Sequence, residues 1–228
     1  MSEDGGVRSE YAGEGLSEDG VAPTPLRQVR AWVADAQARQ AERGDVVEPT
    51  ALSVATVDSD GHANVRTVLM RFLDERGPGF VTDLGSAKSR EIVATGSVAA
   101  SLTWPAMYRA VRFRGRAVPV GRDEIAAYFA TRPWGSRISA WASDQSQPVA
   151  DRATLVAAYE RYAALYPDTG SPDDVPVPDG WGGWRIACDE VEFWAGRRDR
   201  LHDRLVFTRV TDGDLDTADA WTLHRRQP

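Results

Sequence analysis

Apolar positions along the chain fall first into a helical rhythm and then into an alternating one. Residues 1–23 are rich in Gly, Ser, Glu and Asp with no sustained apolar period, which predicts a mobile N-terminal arm. Thr24-Pro25 then reads as an N-cap with proline at the first helical position. Leu26, Val29, Trp32, Val33 and Ala36 share one face behind it and Gly44 closes the segment, so a helix is expected. Farther on, residues 51–57 and 63–72 read as two strands flanking the turn signal Asp58-Ser59-Asp60-Gly61. Residues 79–82 and 98–104 read as two more, with Ser86 capping a short helix that carries Ile92 and Val93 between them. Residues 111–118 alternate strictly, as a strand with one buried face does, and turn Arg112, Arg114 and Arg116 outward as a solvated face. Helices are expected over residues 122–131 and 151–166, an irregular Pro-, Asp- and Gly-rich stretch over 167–180, and strands over 184–194, 204–210 and 221–225.

Strand pairs with tight connections outnumber any βαβ pattern. The expected fold is therefore mainly β with peripheral helices (α+β), an antiparallel sheet or barrel, with residues 24–228 as a single domain.

Composition narrows the function classes. None of the 228 residues falls in an apolar run long enough for a transmembrane helix, and the acidic Met1-Ser2-Glu3-Asp4-Gly5-Gly6 lacks the basic and apolar regions of a secretory signal. The single cysteine, Cys188, has no partner for an internal disulfide and suggests no metal site. A cytoplasmic protein without a membrane partner is expected. The net charge of −7 argues against nucleic acid and anionic lipid, so an anion has to be held by a local cluster of cations. Lys88 is the only lysine; the other 26 of the 27 Lys and Arg residues are arginine, whose planar fork suits phosphate.

Several chemistries are excluded by spacing. Gly13-Glu14-Gly15 does not continue into a dinucleotide-binding loop, there is no Walker A sequence and no GxSxG elbow, and His62, His202 and His224 lie far apart with no metal-ligand spacing. Arginines, hydroxyls and aromatics beside strands remain. Arg66 sits at the start of a strand, and Arg71 ends its apolar run. Thr82-Asp83-Leu84-Gly85-Ser86-Ala87-Lys88 joins a strand to a helix, where backbone N–H groups can receive phosphate. Tyr128, Arg132 and Ser136 recur every four residues and would share one face of a persisting helix, although Pro133 favours a helix end there.

Six segments in register carry a resemblance. Arg66-Thr67-Val68-Leu69-Met70-Arg71, the Thr82 to Lys88 segment, and Tyr128-Phe129-Ala130-Thr131-Arg132-Pro133 occur in order. Trp141-Ala142-Ser143-Asp144-Gln145-Ser146 and Trp181-Gly182-Gly183-Trp184 follow, then Glu192-Phe193-Trp194-Ala195-Gly196-Arg197 with Arg200-Leu201-His202-Asp203-Arg204 behind it. From about Arg8 to Pro228 the chain resembles the pyridoxamine 5′-phosphate oxidase family.

The resemblance implies an FMN-binding split β-barrel that works as a homodimer, with each flavin in a cleft between subunits. It implies oxidation of a phosphorylated B6 vitamer with dioxygen, releasing hydrogen peroxide. FMN would be held by Arg66, Thr67, Val68, Leu69, Met70 and Arg71, by Val81, Thr82 and Lys88, and by Gln145, Ser146, Trp194 and Arg204. Arg66 and Lys88 would neutralise its phosphate. Arg71, Tyr128, Arg132 and Ser136 would hold the substrate phosphate. Arg200 and His202 would lie over the substrate ring as the catalytic pair, with Leu201 between them turned to the core as in an extended strand. Arg8 and Tyr11 match an Arg-x-x-Tyr that closes over bound substrate; no metal is implied. His202 can alternatively be read as a structural, hydrogen-bonding histidine.

Four positions depart from the family pattern: Arg71 for lysine, Ala87 for arginine, Ala110 for glutamine and Val81 for tyrosine. Together they suggest weaker FMN retention or a shifted substrate. A related flavin oxidase acting on another reduced ring, such as a phenazine precursor, and a non-catalytic flavin- or pyridoxal phosphate-binding protein remain open alternatives.

Overall fold

The computed structural model describes Glu10, Tyr11 and residues 13–228. The first helix, α1 (Pro25–Arg43), forms where its signals lie: the Thr24 hydroxyl accepts the Arg27 amide at 3.3 Å, and Gly44 at φ 69 ends it. Its expected face, Leu26, Val29, Trp32, Val33 and Ala36, is buried.

The chain then builds β1 (Ala51–Val57) and β2 (Ala63–Leu69), a hairpin whose turn is tied by Asp58 Oδ1 accepting the Asp60 and His62 amides at 3.0 and 2.8 Å. A second hairpin of β3 (Phe72–Asp74) and β4 (Gly77–Asp83) leads into α2 (Ala87–Thr95). Next come β5 (Ser97–Trp104), β6 (Arg109–Pro119), α3 (Arg122–Ala130), α4 (Trp134–Ala142) and α5 (Arg152–Leu165). The last strands are β7 (Trp181–Ala195), β8 (Asp203–Arg209) and β9 (Trp221–Arg225).

All pairings are antiparallel, in the order β2-β1-β5-β6-β7-β4-β3, with β8 on β7 and β9 on β8. The 15-residue β7 decides the shape. One of its edges runs along β6; the other pairs with β4 near Trp181 and with β8 from Glu190 onward, so the sheet divides there. This is a split, antiparallel half-barrel with helices on its periphery, as expected.

The β6–β7 pairing shifts register between Arg114 and Gly115, and a Cβ on Gly115 would stand 2.0 Å from the Ala187 carbonyl oxygen. Only glycine lets the two backbones approach so closely. Opposite it Cys188 is buried, its Sγ donating to the Ile186 carbonyl at 3.3 Å, and burial pushes the thiol far above its ordinary range.

The main core lies between α1 and the curled sheet, where Trp32 meets Phe193 edge-on at 5.4 Å and Phe193 meets Phe207 at 5.9 Å. Burial of each such ring contributes about 1.5–3 kcal/mol. A second cluster, Ile125, Phe129, Ile138, Val175 and Trp181, sits under α3 and α4.

Three features differ from the sequence reading. The single strand expected over residues 63–72 ends at Leu69, and Phe72 opens the separate β3, which pairs with β4. Pro133, read as a helix end, both follows the end of α3 and N-caps the unexpected α4. Of the arm expected over residues 1–23, the stretch from Gly13 to Gly20 lies against the ends of β8 and β9. Leu16 is buried there, its amide donates to Asp203 Oδ2 at 2.9 Å, and Glu18 accepts two bonds from Arg225 at 2.8 Å.

Candidate functional site

The end of β2, β4 and the α3–α4 break border an open pocket of about 410 Å³ lined by Val68, Leu69, Arg71, Val81, Tyr128, Thr131, Arg132, Pro133 and Ser136. Tyr128 lies in the last turn of α3, Arg132 in the break and Ser136 in the first turn of α4, so the trio meets although the helix does not persist. Arg132 Nη1 is buried with no hydrogen-bond partner among the described residues. An unpaired buried donor costs about 1–3 kcal/mol, more when charged. Burial lowers the Arg132 pKa and the nearby Arg71 charge lowers it further, against an opposing contribution from Tyr128. Two cations with no ion-pair partner among the described residues, beside a phenol and a hydroxyl, form a site able to receive a phosphate. Arg132 is steadied from behind by the Trp181 ring at 4.8 Å.

The neighbouring residue of β4 enters a second cluster. Lys88 Nζ, buried in the first turn of α2, donates to Gln145 Oε1 at 2.6 Å, to Thr82 Oγ1 at 3.1 Å and to Ser86 Oγ at 3.3 Å; Thr82 donates to the same Gln145 oxygen at 2.7 Å. Ser86 occupies the N-cap position, but its hydroxyl is engaged with Lys88, Thr82 and Ser89 and caps no amide. Burial, reinforced by Arg66, lowers the Lys88 ammonium pKa, against opposing contributions from Asp83 and Glu91. Arg66 itself is ion-paired with Glu91 at 2.9 Å. The donor set, with an uncapped helix start, fits a second phosphate. Ser146, exposed and at φ 71, follows Gln145 in the same loop. Of the expected β2 stretch, Val68 and Leu69 face the first pocket, Thr67 is exposed, and Met70, 6% exposed, belongs to the main core.

The remaining expected residues gather elsewhere. Val81 and Thr82 pair with Gly183 and Gly182 of β7, whereas Trp194 lies eleven residues farther along that strand, opposite Arg204 of β8. At roughly 3.3 Å per residue that is about 36 Å of strand, longer than one mononucleotide. Trp194 packs against His202 at 4.8 Å, and Tyr11 meets His202 at 5.2 Å and Trp194 at 5.9 Å, both edge-on. Arg204 donates to both oxygens of Glu192 at 3.1 and 2.7 Å.

Strand alternation does not govern the Arg200-Leu201-His202 segment. Arg198–Arg200 is a 3-10 turn in which Asp199 and Arg200 take φ 55 and 61, so Leu201, expected in the core, is 71% exposed. The turn reverses the chain so that Asp203 meets the Arg197 guanidinium at 2.7 Å. Arg200 is exposed, and Arg8 lies outside the described residues. Among the outward arginines, Arg112 pairs with Glu192 at 2.9 Å and Arg114 reaches Glu190 at 3.8 Å.

Sequence reasoning assigned no role to Trp181, Glu192 or Asp203. Glu192 is 2% exposed yet receives Arg112, Arg204 and Arg226. With Arg185, Asp189 and Glu190 in the same strand, nothing local set Glu192 apart as the buried one.

A split, antiparallel half-barrel carrying two clusters of cationic and hydroxyl donors sets the class by its fold, a split-barrel protein. Residues 36–166 match the family model described as pyridoxamine 5′-phosphate oxidase, and residues 181–228 match the pyridoxine 5′-phosphate oxidase C-terminal dimerisation region. The chain is similar to a pyridoxine/pyridoxamine 5′-phosphate oxidase of Kineococcus radiotolerans, 47% identical over the whole of both chains. It is also similar to one of Streptomyces avermitilis, 45% identical over 97% of this chain and 95% of the other. Among solved structures it resembles PhzG from Burkholderia lata in complex with tetrahydrophenazine-1-carboxylic acid, with TM-score 0.81 and 29% identity over 95% of this chain and 99% of that one. The chain belongs to the pyridoxamine 5′-phosphate oxidase family.

Among the described residues no helix is long and apolar enough to cross a membrane.

Proposed function

We propose that this protein is an FMN-dependent oxidase that converts pyridoxamine or pyridoxine 5′-phosphate to pyridoxal 5′-phosphate, with dioxygen as acceptor and hydrogen peroxide released. The observation that carries the reading is the buried, unpartnered Arg132 Nη1 in the pocket it shares with Arg71, Tyr128 and Ser136. These four hold the substrate phosphate. Lys88, Arg66 and Thr82 hold the cofactor phosphate, with Val81, Gln145 and Ser146 along its length. FMN, when bound, supplies a hydride acceptor that dioxygen reoxidises. Trp194 and Arg204 of a second copy complete the site, because β7 holds them too far from Thr82 within one chain. Arg200 and His202 orient the substrate ring, and Tyr11 covers it. A homodimer follows, supported by the match of residues 181–228 to a dimerisation region.

A second reading, oxidation of a reduced phenazine precursor, is favoured by the likeness to PhzG. One experiment separates them. The purified protein is loaded with FMN, freed of oxygen and mixed with pyridoxamine 5′-phosphate or with tetrahydrophenazine-1-carboxylic acid, and flavin absorbance is followed. Rapid bleaching by the former is expected. Bleaching by the latter alone would move the substrate assignment, and failure to take up FMN would remove the reading altogether.

A further inference from the structure

Asp203, the first residue of β8, is 8% exposed and receives three segments of the chain. Its Oδ2 accepts the Leu16 amide at 2.9 Å and Arg197 Nε at 2.7 Å, and its Oδ1 accepts Arg225 Nη1. Arg225, at the end of β9, reaches on to Glu18 and, at 3.2 Å, to the Leu16 carbonyl. Burial alone would raise the Asp203 pKa. Arg197, the Leu16 amide and Arg225 outweigh it, so the carboxyl lies below its ordinary range.

The segment held on one side leads back to Tyr11, and the loop held on the other carries His202. The two press directly on each other. A Cβ on Gly15, which sits at φ +80, would stand 2.1 Å from Arg197 Cζ, and one on Gly13 would stand 2.6 Å from the Gly196 carbonyl oxygen. The Arg197 amide in turn donates to His202 Nδ1 at 3.1 Å. A ring nitrogen that accepts carries no proton, so the neutral imidazole keeps its proton on Nε2.

We propose that Asp203 is a positioning residue: it clamps the segment bearing Tyr11 to the loop bearing His202, so that the two sides of the ring site and the Nε2–H tautomer of His202 are set together. Its kinetic consequences rest on the oxidase reading above; the clamp itself does not.

Two variants attack the clamp from opposite sides. D203N keeps the shape and removes the charge that Arg197 and Arg225 share. G15A forces the Arg197 guanidinium away and strains the backbone at φ +80 beside Leu16, leaving the Asp203 carboxylate itself intact, and decides the matter alone should D203N not fold. The first readout needs no turnover: nitrogen NMR of the full chain labelled at its three histidines, with His202 assigned from H202Q. The wild type should show His202 with a bare Nδ1 and a protonated Nε2. In both variants that pattern should give way to mixed tautomers, while the His62 and His224 signals stay in place.

In turnover with pyridoxamine 5′-phosphate, kcat/KM should fall roughly ten- to a hundredfold at unchanged FMN content. D203E should recover part of it, and the D203N/G15A double variant should be no worse than the poorer single one. A wild-type His202 pattern in both variants, or losses that multiply in the double variant, would overturn the proposal. Absence of turnover in the wild type would count against the oxidase reading and leave the NMR result to decide the clamp.

Discussion

Arg132 shows what a single side chain can be asked to do. Its guanidinium lies over the Trp181 ring and carries a buried donor with no partner among the described residues, which an incoming anion would satisfy. Losing one charged hydrogen bond costs about 1.5–3 kcal/mol, or roughly ten- to a hundredfold in affinity. Arg132→Ala should therefore raise KM for pyridoxamine 5′-phosphate by about that factor and leave FMN content nearly intact; steady-state kinetics beside flavin absorbance checks both halves. Tyr128, Arg132 and Ser136 were legible because their four-residue spacing is local, and they meet even with a broken helix. Trp181 was not, because its place behind Arg132 is set by a strand about fifty residues downstream. Leu201 misled for another reason. Asp199 and Arg200 take left-handed backbone that glycine would have advertised and these residues do not, at a cost on the order of 1–2 kcal/mol each.

At the scale of an element, α2 brings a lysine into a buried setting that Arg66 of β2, Asp83 of β4 and Glu91 of α2 itself all influence. The net effect lowers the Lys88 pKa, and the sign of the consequence follows. Below that lowered pKa the ammonium is already charged and an anion binds without proton exchange. Above it the free protein holds a neutral amine, which must take up a proton before it can pair with phosphate. FMN affinity should therefore weaken as pH rises, beginning below the ordinary lysine range. Flavin fluorescence titrations between about pH 7 and pH 10 measure it, and Lys88→Arg, charged throughout, should flatten the fall. An affinity that is level in the wild type would count against Lys88 as the phosphate ligand. The α2 start was readable from Ser86, though that hydroxyl turned out to serve Lys88 and not the helix. The α4 helix was hidden because proline stops one helix and starts another with equal ease.

For the whole molecule, the length of β7 separates the Thr82 end from the Trp194 and Arg204 end, the two groups that the proposed flavin site joins across two copies. An open sheet face lies beside Arg204, lined by Ser53, Ala55, Ala99 and Ser101 with Val65 66% exposed, and is available to a second copy. Mixing tests this sharply. K88A and R204A should each lose FMN and activity as separate proteins. Refolded together in equal amounts they should regain about a quarter of the wild-type sites, since half the dimers are mixed and each mixed dimer holds one site with both residues intact. No recovery would place Lys88 and Arg204 on one chain's site. Strand identities were largely readable from alternation; the division of one β7 edge between β4 and β8 was not, because long-range pairing leaves no local mark. That same strand carries Cys188, sealed against the Gly115 bulge. With its thiolate suppressed and its sulfur enclosed, the residue is invisible to electrophiles while β7 stays paired. The protein thus contains a natural clock: each alkylation of its sole thiol marks an occasion on which the central strand came apart, so the native fold's lifetime is written in the chemistry of one atom.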